Sequence, residues 1–150
     1  LLANADSGLS ASLQRFFAAV QDVATDPASI AARQQLIAEA GTLTDRFAQV
    51  ESAVADQRAI ANGRIRATVD EINQLSAGIA GLNRQIAEAR GAISGREPND
   101  LLDERDRLVT QLAERVSIRT VVQDDGALNV YMGRGQPLVM GNEASRLFAQ

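Results

Sequence analysis

The sequence predicts a mainly α protein, a long antiparallel helical bundle or coiled-coil rod followed by an antiparallel β-hairpin. Three observations predict it. Apolar residues recur at steps of three and four from Leu9 to Val116, proline is absent between Pro27 and Pro98, and the hydrophobic period falls to two after Ile118. The expected organisation is a helical domain over residues 1–117, with helices at about 9–25, 28–93 and 100–116, and a β element over 118–150 that begins a further β region.

Leu9, Leu13, Phe16, Phe17, Val20 and Val23 define the first amphipathic helix, with Ser10 as its expected cap. Phe16 and Phe17 read as core residues at this spacing. The helix should stop at Asp26-Pro27, because the residue before a proline is pushed out of the helical region, and Pro27 is suited to open the next helix.

The second helix carries Ile30, Ile37, Phe47, Val50 and Val54, and then a heptad-like series of Ile65, Val69, Ile72, Ile79, Leu82, Ile86 and Ile93. Ser76 and Asn83 occupy seam positions where apolar residues are expected, and there they could fix register. Unbroken, residues 28–93 would extend about 100 Å at 1.5 Å per residue. Gly41, Gly63, Gly78 and Gly81 each cost roughly 1 kcal/mol relative to alanine, so bends are expected, first of all at Gly41.

Residues 91–98 read as a loop, followed by a third helix with Asp100 as its expected cap and Asp103 and Glu104 in the first turn, where the helix dipole favours anions. An Asp103–Arg107 pair at i,i+4 should support it. Leu101, Leu108, Leu112 and Val116 supply its buried face, and the short loop implies an antiparallel return. Beyond it, Ile118 to Gln123 alternate, Asp124-Asp125-Gly126 turns the chain into Leu128–Met132, and Gly133-Arg134-Gly135 leads into a strand at Leu138–Met140.

The 150 residues include no Cys, His or Lys and no Trp; 15 arginines against 19 acids give a net charge of -4. Disulfides, thiolate metal sites and the usual general bases are therefore excluded, leaving carboxylates, hydroxyls and Tyr131. The acidic balance disfavours nucleic acid, and no run approaches the roughly 20 apolar residues of a membrane span. The start at Leu1 without Met and the end just after Leu147-Phe148 predict an interior portion of something longer.

The densest acid cluster, Asp100, Asp103, Glu104 and Asp106, could in principle serve a carboxylate hydrolase or an oxygen-ligated metal. Arg105 and Arg107 interleave it, however, and acids at a helix start have an ordinary electrostatic purpose. Asp124-Asp125-Gly126 lacks the alternating acids and closing Glu of a calcium loop. Arg58, Arg64 and Arg66 read as a solvated or ion-paired face, since no aromatic residues accompany them. No catalytic, cofactor or metal site is expected.

Three segments together resemble one family. They are Leu13-Gln14-Arg15-Phe16-Phe17 with Asp26-Pro27 and Ala32-Arg33-Gln34; Ile72-Asn73 with Ile79-Ala80-Gly81-Leu82-Asn83-Arg84-Gln85-Ile86; and Pro98-Asn99-Asp100-Leu101-Leu102-Asp103-Glu104-Arg105-Asp106. In this order the chain is similar to the bacterial flagellar hook-associated protein 1 (FlgK) family, a similarity that extends through Asn129-Val130 and Gly135-Gln136-Pro137-Leu138-Val139.

The resemblance implies a flagellin-like axial core without catalysis or cofactor, exported by the flagellar type III apparatus to an extracellular junction between hook and filament. Its implied partners are further copies of itself, hook protein, a neighbouring hook-associated protein and flagellin, with no nucleic acid and no membrane insertion. A monomeric state of the isolated chain is compatible with it. The segment formed by Pro98, Asn99, Asp100, Leu101, Leu102, Asp103, Arg105 and Asp106 transfers as a structural motif that reverses the chain and starts the return helix. A cytoplasmic coiled-coil adaptor is the rival reading, and the β-hairpin argues against it.

Overall fold

A computed structural model describes residues 8–92 and 97–149. Helix α1 runs Leu9–Thr25, α2 Ile30–Ala92 and α3 Asn99–Arg115; strands β1 Ile118–Val122, β2 Leu128–Met132, β3 Gln136–Met140 and β4 Glu143–Ala144 follow. The fold is mainly α with a small antiparallel sheet. Two compact units divide the chain, Leu1–Ala61 and Asn62–Gln150.

In the first unit the helix starts differ in detail from expectation. Gly8, not Ser10, occupies the cap position of α1, and Ser10 lies exposed within the helix. Pro27 sits in the connecting turn, and Ser29 caps α2 by accepting a hydrogen bond from the Ala32 amide at 3.2 Å. A hydroxyl two residues on satisfies a helix-start amide, which Pro27 cannot do.

The most deeply buried residues of α1 are small, Ala11, Ser12 and Ala19. Arg15 reaches Ser12 Oγ and pairs with Glu39 of α2 at 3.6 Å. Phe17 is 59% exposed, so it is not core, although its ring meets Phe16 edge-on at 5.6 Å. The expected stripe on α2 is also largely uncovered: Ile30 and Ile37 are each 72% exposed, and Phe47 and Val54 are exposed as well. Of that stripe Val50 is half-buried as expected, and the apolar positions half-buried with it are Ala32, Leu36 and Leu43. This part of α2 thus carries two apolar faces, and only the second is turned inward.

Gly41 does not interrupt α2, and neither do Gly63, Gly78 and Gly81. The positive φ values that force glycine occur in the sheet turns instead, at Gly126, Gly133, Gly135 and Gly141.

In the second unit one core joins α2, α3 and the sheet. Ile72, Ile79, Ala80, Leu112, Val130, Leu138 and Val139 form it, with Leu75, Leu108, Val116 and Ile118 packed at its margin. Ile65, expected in the same seam, is exposed, and Ile93 lies outside the described residues. Helix α3 runs antiparallel to α2, because Arg105 meets Asn83, Leu108 approaches Gly78 and Arg115 pairs with Glu71.

The sheet order is β1-β2-β3-β4, all antiparallel. In β1–β2, Ile118 faces Met132 and Val122 faces Leu128. The turn at Gln123–Gly126 is closed by the Gly126 amide on Gln123 O at 2.9 Å. β3 starts at Gln136, two residues before the expected Leu138, and β4 is an additional strand.

Candidate functional site

The most specific arrangement in the second unit is a buried polar hub under the hairpin turn. Asn83 sits on the α2 face that supplies Ile79 and Ile86, so its amide is carried into the core. There its Nδ2 donates to Leu128 O at 2.9 Å and to Gly141 O at 2.6 Å. Its Oδ1 accepts from the Leu128 amide and from an Arg105 guanidinium nitrogen, both at 3.1 Å. The Leu128 amide can only donate, which fixes which end of the Asn83 side chain faces it.

Arg105 is 7% exposed. Besides Asn83 it binds Gly126 O at 2.9 Å, while its Nε is buried without a partner. Burial lowers its pKa from the usual arginine value; neighbouring Asp106 opposes that and the Arg90 guanidinium adds to it. An arginine remains charged regardless. Arg90 flanks the same turn, reaching Asp125 O at 3.4 Å and Glu97 Oε2 at 2.7 Å.

Two more asparagines extend the pattern. Asn73 exchanges a pair of hydrogen bonds with the Leu147 backbone at 3.0 and 2.8 Å, and Asn129 Oδ1 accepts the Gly141 amide at 2.7 Å. These contacts replace ladder bonds that irregular backbone cannot make for itself. Their combined effect is to fix the sheet on the α2–α3 pair.

Of the expected structural motif, only Arg105 enters the hub. Pro98, rather than Asp100, holds the cap position of α3, its carbonyl accepting the Leu101 and Leu102 amides. Leu101 and Leu102 are half-buried; Asn99, Asp100, Asp103 and Asp106 are exposed. Asp100 still lies in the first turn, where the helix dipole favours it. Arg107 pairs with Glu104 rather than Asp103, through Nε at 2.9 Å, and this pairing lowers the Glu104 pKa. Among the described residues no group of three or more acids is placed to hold a metal.

Arg105, which stands among acids in the sequence as an ordinary neutralising charge, is buried. The signal was present, since Leu101, Arg105, Leu108 and Leu112 share one helix face by steps of four, three and four. Ser76 and Asn83 are indeed buried. Asn83, however, recognises β-turn backbone and an arginine rather than a second helical seam.

The family described as flagellar hook-associated protein FlgK helical domain matches residues 1–150. Flagellar hook-associated protein 1 of Salmonella typhimurium is 41% identical over 149 residues, covering 99% of this chain and 27% of that protein. The Escherichia coli protein of the same name is 38% identical over the same shares. A solved structure, the flagellar hook junction protein FlgK from Burkholderia pseudomallei, superposes with a TM-score of 0.81 at 32% identity, covering 95% of this chain and 25% of that one. The chain therefore spans about a quarter of the length of the relatives it matches.

Proposed function

Because the chain belongs to the FlgK family of flagellar hook-associated proteins, matched along the family's helical domain, we propose that the protein carrying it is a structural component of the bacterial flagellum at the hook–filament junction. The observation that carries this reading is the match over all 150 residues, with the same fold in a solved hook junction protein. The physical chemistry is consistent with it. The most elaborate polar site among the described residues is spent on holding secondary structure together, and the Pro98 to Asp106 segment starts the return helix α3.

The uncovered apolar side chains of α2, Ile30, Ile37, Phe47 and Val54, suit a protein that works packed against others. Its partners are other axial proteins, namely hook protein, a neighbouring hook-associated protein and flagellin. It acts outside the cell, after export by the flagellar type III apparatus, and it catalyses nothing.

Deleting the gene in the parent bacterium should leave hooks without attached filaments and flagellin shed into the medium. Normal filaments in that strain would overturn the junction role. Loss of an enzymatic activity on substituting Asp103→Ala or Glu104→Ala would overturn the non-catalytic reading.

A further inference from the structure

The two ends of the sheet differ in charge. At the end where β1 begins and β2 turns into β3, Arg119, Val121, Tyr131, Gly133, Arg134 and Gly135 line a groove with no carboxylate. The β1–β2 register places Arg119 opposite Tyr131, and Val121, two residues on, shares their face. Among the described residues neither Arg119 nor Arg134 has an ion-pair partner, and both are exposed. On a chain of net charge -4, two gathered guanidinium groups facing no acid call for an external anion.

The opposite end carries that anion. Asp124 and Asp125 form the tip of the β1–β2 turn, and Glu143 opens β4 at the same end, all three exposed. The tip is held in shape: Gly126 turns the backbone at φ +84, Asp125 Oδ1 accepts the Ala127 amide at 2.9 Å, and Arg90 and Arg105 grip the Asp125 and Gly126 carbonyls. A preorganised acidic tip loses little freedom on docking.

Five-residue strands separate the two ends by roughly 15 Å, so one molecule cannot join its own tip to its own groove. We propose that the sheets of neighbouring copies bind head to tail, the Asp124-Asp125 tip of one copy seating in the Arg119–Arg134 groove of the next. A second copy is favoured over other acidic partners because this chain itself displays a rigid two-carboxylate tip to match a two-guanidinium groove. Such a contact is heterologous, joining two different patches, and it propagates into a ring or an open row according to the rotation between copies. It goes beyond the junction role and stands or falls apart from it.

The absence of cysteine permits a direct test on the full chain. Gln123→Cys places a thiol beside the acidic tip and Gln136→Cys places one beside the groove, with every charge retained. A short bifunctional maleimide should join the two variants to each other at least about fivefold faster than either to itself, the size expected of two rim ion pairs. The preference should vanish in about 1 M salt, where the Debye length is about 3 Å.

Adding Arg119→Glu and Arg134→Glu to the groove variant should abolish the preference, and Asp124→Arg with Asp125→Arg on the tip variant should restore it. Equal rates for mixed and self reactions would overturn the proposal. So would a preference indifferent to the charge reversals, or an unrelated acidic peptide competing as well as the tip. Filaments built normally in the deletion strain would count against the junction role and leave this contact standing.

Discussion

Replacing Asn83 by alanine is the sharpest test of the hub. The amide makes four hydrogen bonds, to Leu128 N and O, Gly141 O and Arg105. Its removal leaves a buried amide, two carbonyls and one face of a buried guanidinium without this partner. Each lost bond costs about 1 kcal/mol, and each buried group left unsatisfied about 1–3 kcal/mol. Allowing Gly141 O and the guanidinium to recover water, the net loss is roughly 3–5 kcal/mol. At about 2–4 °C per kcal/mol for a chain of this size, the melting midpoint should fall by roughly 10 °C. Urea unfolding followed by circular dichroism measures it. Arg105→Met alone and combined with Asn83→Ala completes a cycle, and the pair should couple by about 1 kcal/mol or more. An Asn83→Ala loss under about 1 kcal/mol, or strictly additive variants, would show that the hub is incidental to stability.

Gly126→Ala should destabilise the second unit by roughly 1–2 kcal/mol, since φ is +84 and a Cβ there would meet the Arg90 guanidinium; adding Arg90→Ala should recover only part of the loss in the same unfolding assay. Gly41→Ala, with open space around its Cβ, should stabilise α2 by about 0.5–1 kcal/mol, whereas Gly78→Ala meets Leu108 Cδ1 at 2.8 Å and should gain less or lose. The Arg115 hydrogen bond holds the Glu71 carboxyl below its usual value near 4.5. A depressed carboxylate pKa adds stability that is present above the unfolded value and lost as pH falls through the lowered one. The stability profile below pH 4.5 should therefore flatten in Glu71→Gln, with the difference shrinking in salt.

The helices were legible because they are written in two redundant signals, apolar spacing and proline placement. The hairpin was legible from Asp124-Asp125-Gly126, where the required positive φ selects glycine. Caps were less so: Ser10, Pro27 and Asp100 are all chemically acceptable starts, and the choice fell to Gly8, Ser29 and Pro98 by where packing set the helix ends. The turned-in face of α2 in the first unit was ambiguous for a similar reason. Ile30 and Ile37 outweigh Ala32 and Leu36 in hydrophobicity, yet the weaker face is the half-buried one, and the most deeply buried side chains of α1 are likewise small, Ala11, Ser12 and Ala19. Arg105 was hidden by composition, because interleaved acids made a local charge pattern that explained it before its helix face was considered.

The two units consequently stand on different footings. Across Asn62–Gln150, α3 and the sheet close a continuous core with α2, and Asn83 and Arg105 tie its irregular backbone. Across Leu1–Ala61 the described buried side chains are Ala11, Ser12 and Ala19, each of which removes little apolar area from water, while Ile30, Ile37, Phe47 and Val54 keep theirs exposed. At about 25 cal/mol per Å², these small side chains contribute less on burial than the Ile, Leu and Val side chains fully buried in the second unit. The amides of the first unit should therefore exchange with solvent through local opening, and those of α3, β2 and β3 only near global unfolding. Native-state hydrogen exchange read by mass spectrometry separates the two. Equal protection in α1 and α3 of the isolated chain would mean that the first unit draws stability from something other than its buried side chains, and the exposed apolar residues of α2 would no longer imply that it is completed by a partner.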